Sequence, residues 1–217
     1  MCNLYSITKG QAAMRDLFLI EVEHDRLGNF APLPSVFPDG MAPVVRTRDG
    51  RRELLNMRWG FPKPPNVPAG GYVTNVRNAA SPYWRGWLKP EYRCLVPFTS
   101  FCEYQDGSKP AVPKWFAADE SRPLMAFAGI WRPWSGTRGT KAAPVEGEHL
   151  LYSFLTCEAN SVVKPVHAKA MPVILPPESW DAWLTAPAEE ALKLQVSCGA
   201  DVLRIVATGS KSDKSAD

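Results

Sequence analysis

Apolar residues in this chain come in short runs separated by proline- and glycine-rich stretches, and few runs hold a helical period. Residues 3–7 read as a short strand. Thr8 stands where a helix cap is needed for residues 9–18, with Ala12, Ala13, Leu17 and Phe18 on the apolar side. Residues 28–43 carry Pro32, Pro34, Pro38 and Pro43 with Gly28 and Gly40, a loop composition that leaves no room for a long element. Strands are predicted at 44–47 and 54–59, and between them Asp49-Gly50 suits a tight hairpin turn. Residues 61–71 are again rich in proline and glycine and read as a connector or as a wall beside a groove.

Residues 72–78 alternate short polar and apolar side chains. Ser81-Pro82 then predicts the start of a helix with Trp84, Trp87 and Leu88 at i, i+3 and i+4, a spacing that reads as core packing rather than a base-stacking platform. Residues 93–98 and 101–104 read as strands, followed by 114–117, 124–131, 150–156 and 171–175. Residues 135–148 are polar and glycine-rich and are expected to be mobile. Pro177 opens a helix with Trp180, Trp183 and Leu184 on one face, and Pro187 opens another over 188–194. A last strand is expected at 203–207, then a polar, frayed tail over 209–217. Many short strands with few helices predict an α+β domain around a strongly curved, barrel-like mixed sheet, in one unit over residues 1–208.

Composition narrows the class without naming the chemistry. The 217 residues are 45% hydrophobic and 22% charged, enough for one domain with a substantial core. No apolar run reaches the roughly 18 residues of a membrane span, and no basic start precedes an apolar leader, so a cytoplasmic protein is expected. The five cysteines are odd in number and widely spaced, which reads as reduced thiols. No CxxC or HxxxH pair is present, so no metal and no other cofactor is expected. The net charge of +3 permits an anionic partner without requiring one.

The distinctive chemistry is at the start. Cys2 follows the initiator methionine directly. A small second residue permits removal of Met1, which leaves Cys2 with an α-amine and a thiol on adjacent carbons. Such a 1,2-aminothiol condenses with an aldehyde to an imine, and the thiol closes onto the imine carbon to give a thiazolidine. The α-amine has a reference pKa of about 7.7–8.0, so part of it is neutral at physiological pH, and ring closure is intramolecular. An unreacting, core-packed Cys2 is the plainer alternative. Glu103 interrupts an apolar strand, so it is either an edge residue or a carboxylate with a partner or a task.

Several motifs, in order, carry a family resemblance. They are Met1-Cys2, Arg58-Trp59-Gly60, Asn75-x-Arg77, Arg93-Cys94-Leu95-Val96-Pro97, Phe101-x-Glu103-Tyr104, Phe127-Ala128-Gly129-Ile130-Trp131, Leu155-Thr156-x-Glu158-Ala159-Asn160, and His167 before Met171-Pro172. In this series the chain resembles the SRAP proteins, the SOS-response-associated peptidases, which include the abasic-site processing proteins. It departs from them in two places. Asn78-Ala79-Ala80-Ser81 replaces a Ser-Glu-Thr-like segment, and His167 stands four positions before Met171 rather than three.

The resemblance implies a protein, expected to be monomeric, that finds abasic sites in single-stranded DNA and crosslinks to the C1′ aldehyde of the opened sugar as a thiazolidine. Carried onto this chain, Cys2 is the nucleophile, Asn75 positions the amine or the opened sugar, Glu103 moves protons, and His167 acts near the Schiff base. Arg77 is implied to hold the adjacent phosphate, Thr156 to bind phosphate or line the pocket, and Trp59 to stack a flanking base. The family name implies peptidase activity at the bond before Cys2, and a Schiff base opens a route to strand cleavage. Two other classes stay open: an N-terminal-nucleophile amidohydrolase, and a non-covalent single-stranded DNA-binding module. DNA-bound protein would sit at the nucleoid.

Overall fold

The structure, a computed structural model, describes residues 2–64, 67 and 71–213. Along the chain run β1 (Tyr5–Ile7), α1 (Gln11–Phe18), β2 (Leu33–Val36), β3 (Met41–Arg48), β4 (Arg51–Trp59) and β5 (Asn75–Val76). They are followed by β6 (Arg93–Phe98), β7 (Ser100–Tyr104), β8 (Pro113–Ala117), β9 (Met125–Thr140) and β10 (Ala143–Cys157). The chain continues through β11 (Met171–Pro172), β12 (Ile174–Leu175), α2 (Trp180–Thr185), α3 (Ala188–Ala191) and β13 (Arg204–Thr208). The β3–β4 turn is the one expected: Asp49 and Gly50 both take positive φ, 51° and 75°, and Arg48 pairs with Arg51. That mirror-image turn matches the twist of the two strands.

Two sheets share the core. One has the order β13-β8-β7-β1-β2. In the other, β10 pairs with β4, β4 with β3, β3 with β6, β6 with β9, and β9 back to β10, so these strands close a ring. The α+β class and the barrel-like centre are as the sequence predicts. Inside the ring Phe98 stacks on Phe127 at 3.7 Å, Phe127 meets Phe154 at 4.7 Å, and Trp59 stacks on Phe154 at 5.2 Å. Every residue of β6 is buried, as a strand covered on both faces must be. Each large apolar side chain so enclosed stabilises the fold by about 1.5–3 kcal/mol relative to exposure. The expected packing of Trp84 is seen: it is buried, with its ring against Phe61.

Several local expectations are corrected. Residues 81–88 form turns, not a helix. Their bonds run mainly to the third residue back, from Trp84 to Ser81, Arg85 to Pro82 and Trp87 to Trp84. Gly86 sits in the segment, and both Trp84 and Trp87 pack against Phe61, Trp87 also meeting Tyr92. Thr8 caps no helix; its hydroxyl bonds Thr99, and Gly10 takes the cap position. Residues 28–43 contain the short β2, which borders β1.

The segment expected to be mobile, 135–148, is the outer part of the β9–β10 hairpin, paired without interruption from Ala143 with Thr140 to Phe154 with Gly129. Mutual pairing satisfies its backbone, and Arg138 anchors it. The guanidinium is buried, 2.7 Å from Asp39, donating to the Gly60 carbonyl and lying over the Tyr72 ring. The tail is docked as far as it is described: Asp213 is buried against Arg122 and Ser100, and the Trp115 indole donates to the Ser210 carbonyl. Residues 214–217 of the expected tail, Met1, and residues 65–66 and 68–70 of the expected wall lie outside the described residues. Among the described residues no helix is long and apolar enough to cross a membrane.

Candidate functional site

The site forms where the two sheets meet at the chain start. Cys2 leads into β1, which pairs with β7 through Tyr5 with Phe101, and Leu4 accepts from the Cys102 amide. Glu103 follows on β7. Asn75 comes from the other sheet, where short β5 runs parallel to β10 with Asn75 opposite Phe154. The approach to β5 is fixed by Gly60, at φ +110°, where a Cβ would fall 2.7 Å from that of Tyr72. Only glycine allows this crossing, and it sets the Phe61–Val73 pairing that delivers Asn75.

Asn75 Nδ2 donates to the Cys2 carbonyl at 2.8 Å and to Thr74 Oγ1 at 2.7 Å, and Thr74 Oγ1 donates to Asn3 Oδ1 at 2.9 Å. Cys2 is 1% exposed, and its thiol points at the Leu4 carbonyl at 3.5 Å and the Cys102 carbonyl at 4.0 Å. Burial holds its pKa well above the usual thiol value, and the Glu103 carboxylate adds to the rise. The thiol is therefore stored protonated. All five cysteines are free.

Glu103 is 3% exposed, and among the described residues its Oε1 has no hydrogen-bond partner. Burial lifts its pKa from a carboxylate's usual 4.5 to about 7, the positive chain start works against the rise, and Asp106 adds to it. A carboxyl group poised there gives and takes protons with little driving force lost at neutral pH. The edge-residue alternative is thus set aside.

His167 reaches the same end of β7 from the segment after β10. Its Nδ1 is 3.3 Å from Asp106 Oδ1, the Ala168 amide donates to Asp106 Oδ2, and the Asp106 amide donates to the Val166 carbonyl. The start of the longer stretch from His167 to Met171 is thereby tied to Asp106. Asp106 was not anticipated; its only signal is a second acid placed three residues after Glu103 at a strand end. The His167 and Ala168 bonds hold its own pKa below the usual value, the Ala168 amide foremost.

Arg77 and Thr156 lie beside this group rather than in it. With Cys157, Glu158, Gln195, Val196 and Ser197 they line an open cavity of about 360 Å³. Gln195 Nε2 straps the two strands by donating to the carbonyls of Arg77 and Thr156. The Arg77 side chain is 44% exposed and touches Glu158 only at 3.9 Å, a pair readily exchanged for another anion. Thr156 Oγ1 is buried with no partner among the described residues. A more apolar cavity of about 420 Å³, bordered by Trp180 and Cys198, contains none of the expected site residues.

Trp59 is corrected. It is fully buried, its ring against Tyr5, Tyr152 and Phe154, so it has no face to offer a base. Its indole instead donates to the Thr74 carbonyl at 3.0 Å, in the peptide that leads into Asn75.

The family description "SOS response associated peptidase (SRAP)" matches residues 1–208. The chain belongs to the SRAP family. It is similar to two proteins of Bacillus subtilis (strain 168) named abasic site processing proteins. One, YoaM, is 26% identical over 191 residues, 85% of this chain and 79% of that protein. The other, YobE, is 28% identical over 177 residues, 78% and 73% of the two chains. Among solved structures, a Bordetella bronchiseptica protein superposes with a TM-score of 0.73 at 25% identity, over 96% of this chain and 98% of that one. A Bacteroides thetaiotaomicron protein reaches 0.72 at 19% identity, over 94% and 90%, which supports the fold.

Proposed function

We propose that this SRAP protein captures abasic sites in single-stranded DNA as a thiazolidine on Cys2, after Met1 has been removed by the chain itself or by an aminopeptidase. One observation carries the reading. A carboxyl group poised near pH 7 lies within electrostatic reach of a protonated Cys2 thiol, and the Cys2 carbonyl is held by Asn75.

The chemistry balances through Glu103. The neutral α-amine adds to the C1′ aldehyde. Protonated Glu103 gives its proton to the carbinolamine oxygen, which leaves as water, and an iminium forms. The carboxylate then takes the thiol proton, sulfur bonds to the iminium carbon, and the ring nitrogen ends neutral. The net change is loss of one water. Thiol deprotonation, disfavoured by burial, is coupled to a base whose affinity for protons has itself been raised by burial. His167, held by Asp106, serves the Schiff base: its reversal, or strand cleavage by β-elimination. Arg77 and Thr156 receive the neighbouring phosphate, with Glu158 released from Arg77.

The test mixes the processed protein with an oligonucleotide bearing one abasic site. A heat-stable adduct is expected on a denaturing gel, with an intact mass equal to the sum less one water. Cys2→Ala should give none, because an amine alone forms only a hydrolysable imine. An undiminished stable adduct from Cys2→Ala would overturn the reading. Intact mass of the free protein reports Met1 removal.

A further inference from the structure

The amide of Asn75 can be oriented from its partners alone. One atom of that amide contacts both the Cys2 carbonyl, at 2.8 Å, and Thr74 Oγ1, at 2.7 Å. A carbonyl oxygen only accepts, so the shared atom is nitrogen. Thr74 Oγ1 therefore accepts from Asn75, and its single proton goes to Asn3, at 2.9 Å. Each bond in this chain fixes the direction of the next. The amide oxygen of Asn75 is left buried, with no partner among the described residues.

Thr74 is itself held. It is 7% exposed, and its carbonyl accepts from the buried Trp59 indole. The residue that carries the hydroxyl is thus anchored through its carbonyl, directly before β5.

We propose that Thr74 is a positioning residue that locks the Asn75 amide with its nitrogen on the Cys2 carbonyl and its oxygen free as an acceptor for N–H groups. The group that needs such an acceptor is the Cys2 amine, and after condensation the iminium N–H. A correctly placed acceptor orients the amine lone pair toward the aldehyde and steadies the positive charge of the iminium. This rests on Cys2 as the reacting residue. Asn75 thereby acts on the nucleophile through oxygen and holds its backbone through nitrogen; the Cys2 carbonyl demands the nitrogen, and Thr74, its own proton given to Asn3, holds it there at a second point. Without the hydroxyl, the amide is held only by the Cys2 carbonyl, and a buried N–H loses its partner.

Thr74→Val keeps the shape and removes the hydroxyl; Thr74→Ser keeps the hydroxyl. In single-turnover crosslinking at saturating abasic oligonucleotide, Thr74→Val should be about tenfold slower, the effect of one neutral hydrogen bond. Its half-saturating DNA concentration should not change, and Thr74→Ser should come within about twofold of the unmodified protein on the same scale. A Thr74→Val rate within twofold overturns the inference, as does a Thr74→Ser rate as slow as that of Thr74→Val, which would assign the loss to packing. A second measurement needs no variant to fold. With asparagine side chains labelled with ¹⁵N, both Asn75 amide protons should exchange far more slowly than those of an exposed asparagine. Fast exchange in the unmodified protein overturns the inference. If the unmodified protein forms no adduct, the functional reading fails, and the exchange measurement, repeated on Thr74→Val, still decides whether Thr74 holds Asn75: one amide proton should then exchange faster, and unchanged exchange overturns the inference.

Discussion

Strand β7 binds a buried carboxylate of the tail at its start and carries one of its own near its end, and the two could hardly be treated more differently. At its start Ser100 donates to Asp213, which also takes two bonds from Arg122 at 2.8 Å, so a buried charge is fully paired. Near its end Glu103 is equally buried, yet one oxygen is bare among the described residues and its pKa is lifted to about 7. Burial alone therefore does not make a reactive acid. Burial without partners does, because desolvation then falls on the charged form with little to offset it. The same contrast separates Arg138, whose nitrogens meet Asp39, Gly60 and Trp59, from the Asn75 oxygen beside Cys2 and the Thr156 oxygen in the neighbouring cavity, both without a partner among the described residues.

The contrast breaks first at Asp213. Asp213→Asn should destabilise the fold by about 3–5 kcal/mol, because Arg122 is left buried without its counter-charge. Denaturant unfolding measures the loss, and crosslinking by the protein that remains folded should be unchanged. Glu103→Gln should do the reverse. In the unfolded chain Glu103 ionises near 4.5 and in the folded chain near 7, so the stability it lends is full below pH 4.5 and is lost as the pH rises to 7. The variant should therefore be more stable than the unmodified protein at pH 8, by up to about 3 kcal/mol, with the gap closing below pH 4.5. Equal stability at pH 8 would mean that Glu103 is partnered after all.

Smaller effects belong to the rim. Arg77→Ala should weaken single-stranded DNA binding at all sequences and flatten its salt dependence by about one unit of slope or less, read from titrations at several salt concentrations. An unchanged affinity and slope would make Arg77 structural. Asp106→Asn should leave adduct formation within about twofold while changing adduct reversal by only about threefold, the scale of one weakened, exposed hydrogen bond. A time course of adduct loss at pH 6 and pH 8 reads it. A slowed formation step would move His167 into the capture reaction.

The sequence exposes some of this and hides the rest for physical reasons. Local rules were sufficient for the Asp49-Gly50 turn, for β6 and for the helix that presents Trp180 and Trp183, because each is specified by neighbours in the chain. They failed where partners are distant. The β9–β10 hairpin looks like mobile linker until its strands pair and Arg138 reaches Asp39, 99 residues away. Asp213 looks like tail until Arg122, 91 residues away, receives it. At the site, Cys2 and Glu103 were legible from the residues themselves, a carboxylate in an apolar strand above all, whereas Asn75 was legible only through the motif that carries the family resemblance. Thr74 and Asp106 were not, since an alternating Thr and a strand-end Asp are ordinary until the fold aims them. Trp59 misled because an aromatic beside a candidate site is as often its floor as its surface, and 0% exposure makes it the floor.

The most direct test of Glu103 as the proton carrier is its pH–rate profile. Single-turnover crosslinking of the processed protein to an abasic oligonucleotide should be followed from pH 5 to 9, with and without Glu103→Gln. The unmodified protein should show an inflection near pH 7, set by the Glu103 carboxyl. The variant should lose that inflection and be slower by about 10²-fold, the usual cost of removing a general acid–base group. A variant within about twofold of the unmodified protein across the whole range, with the inflection intact, would contradict the assignment.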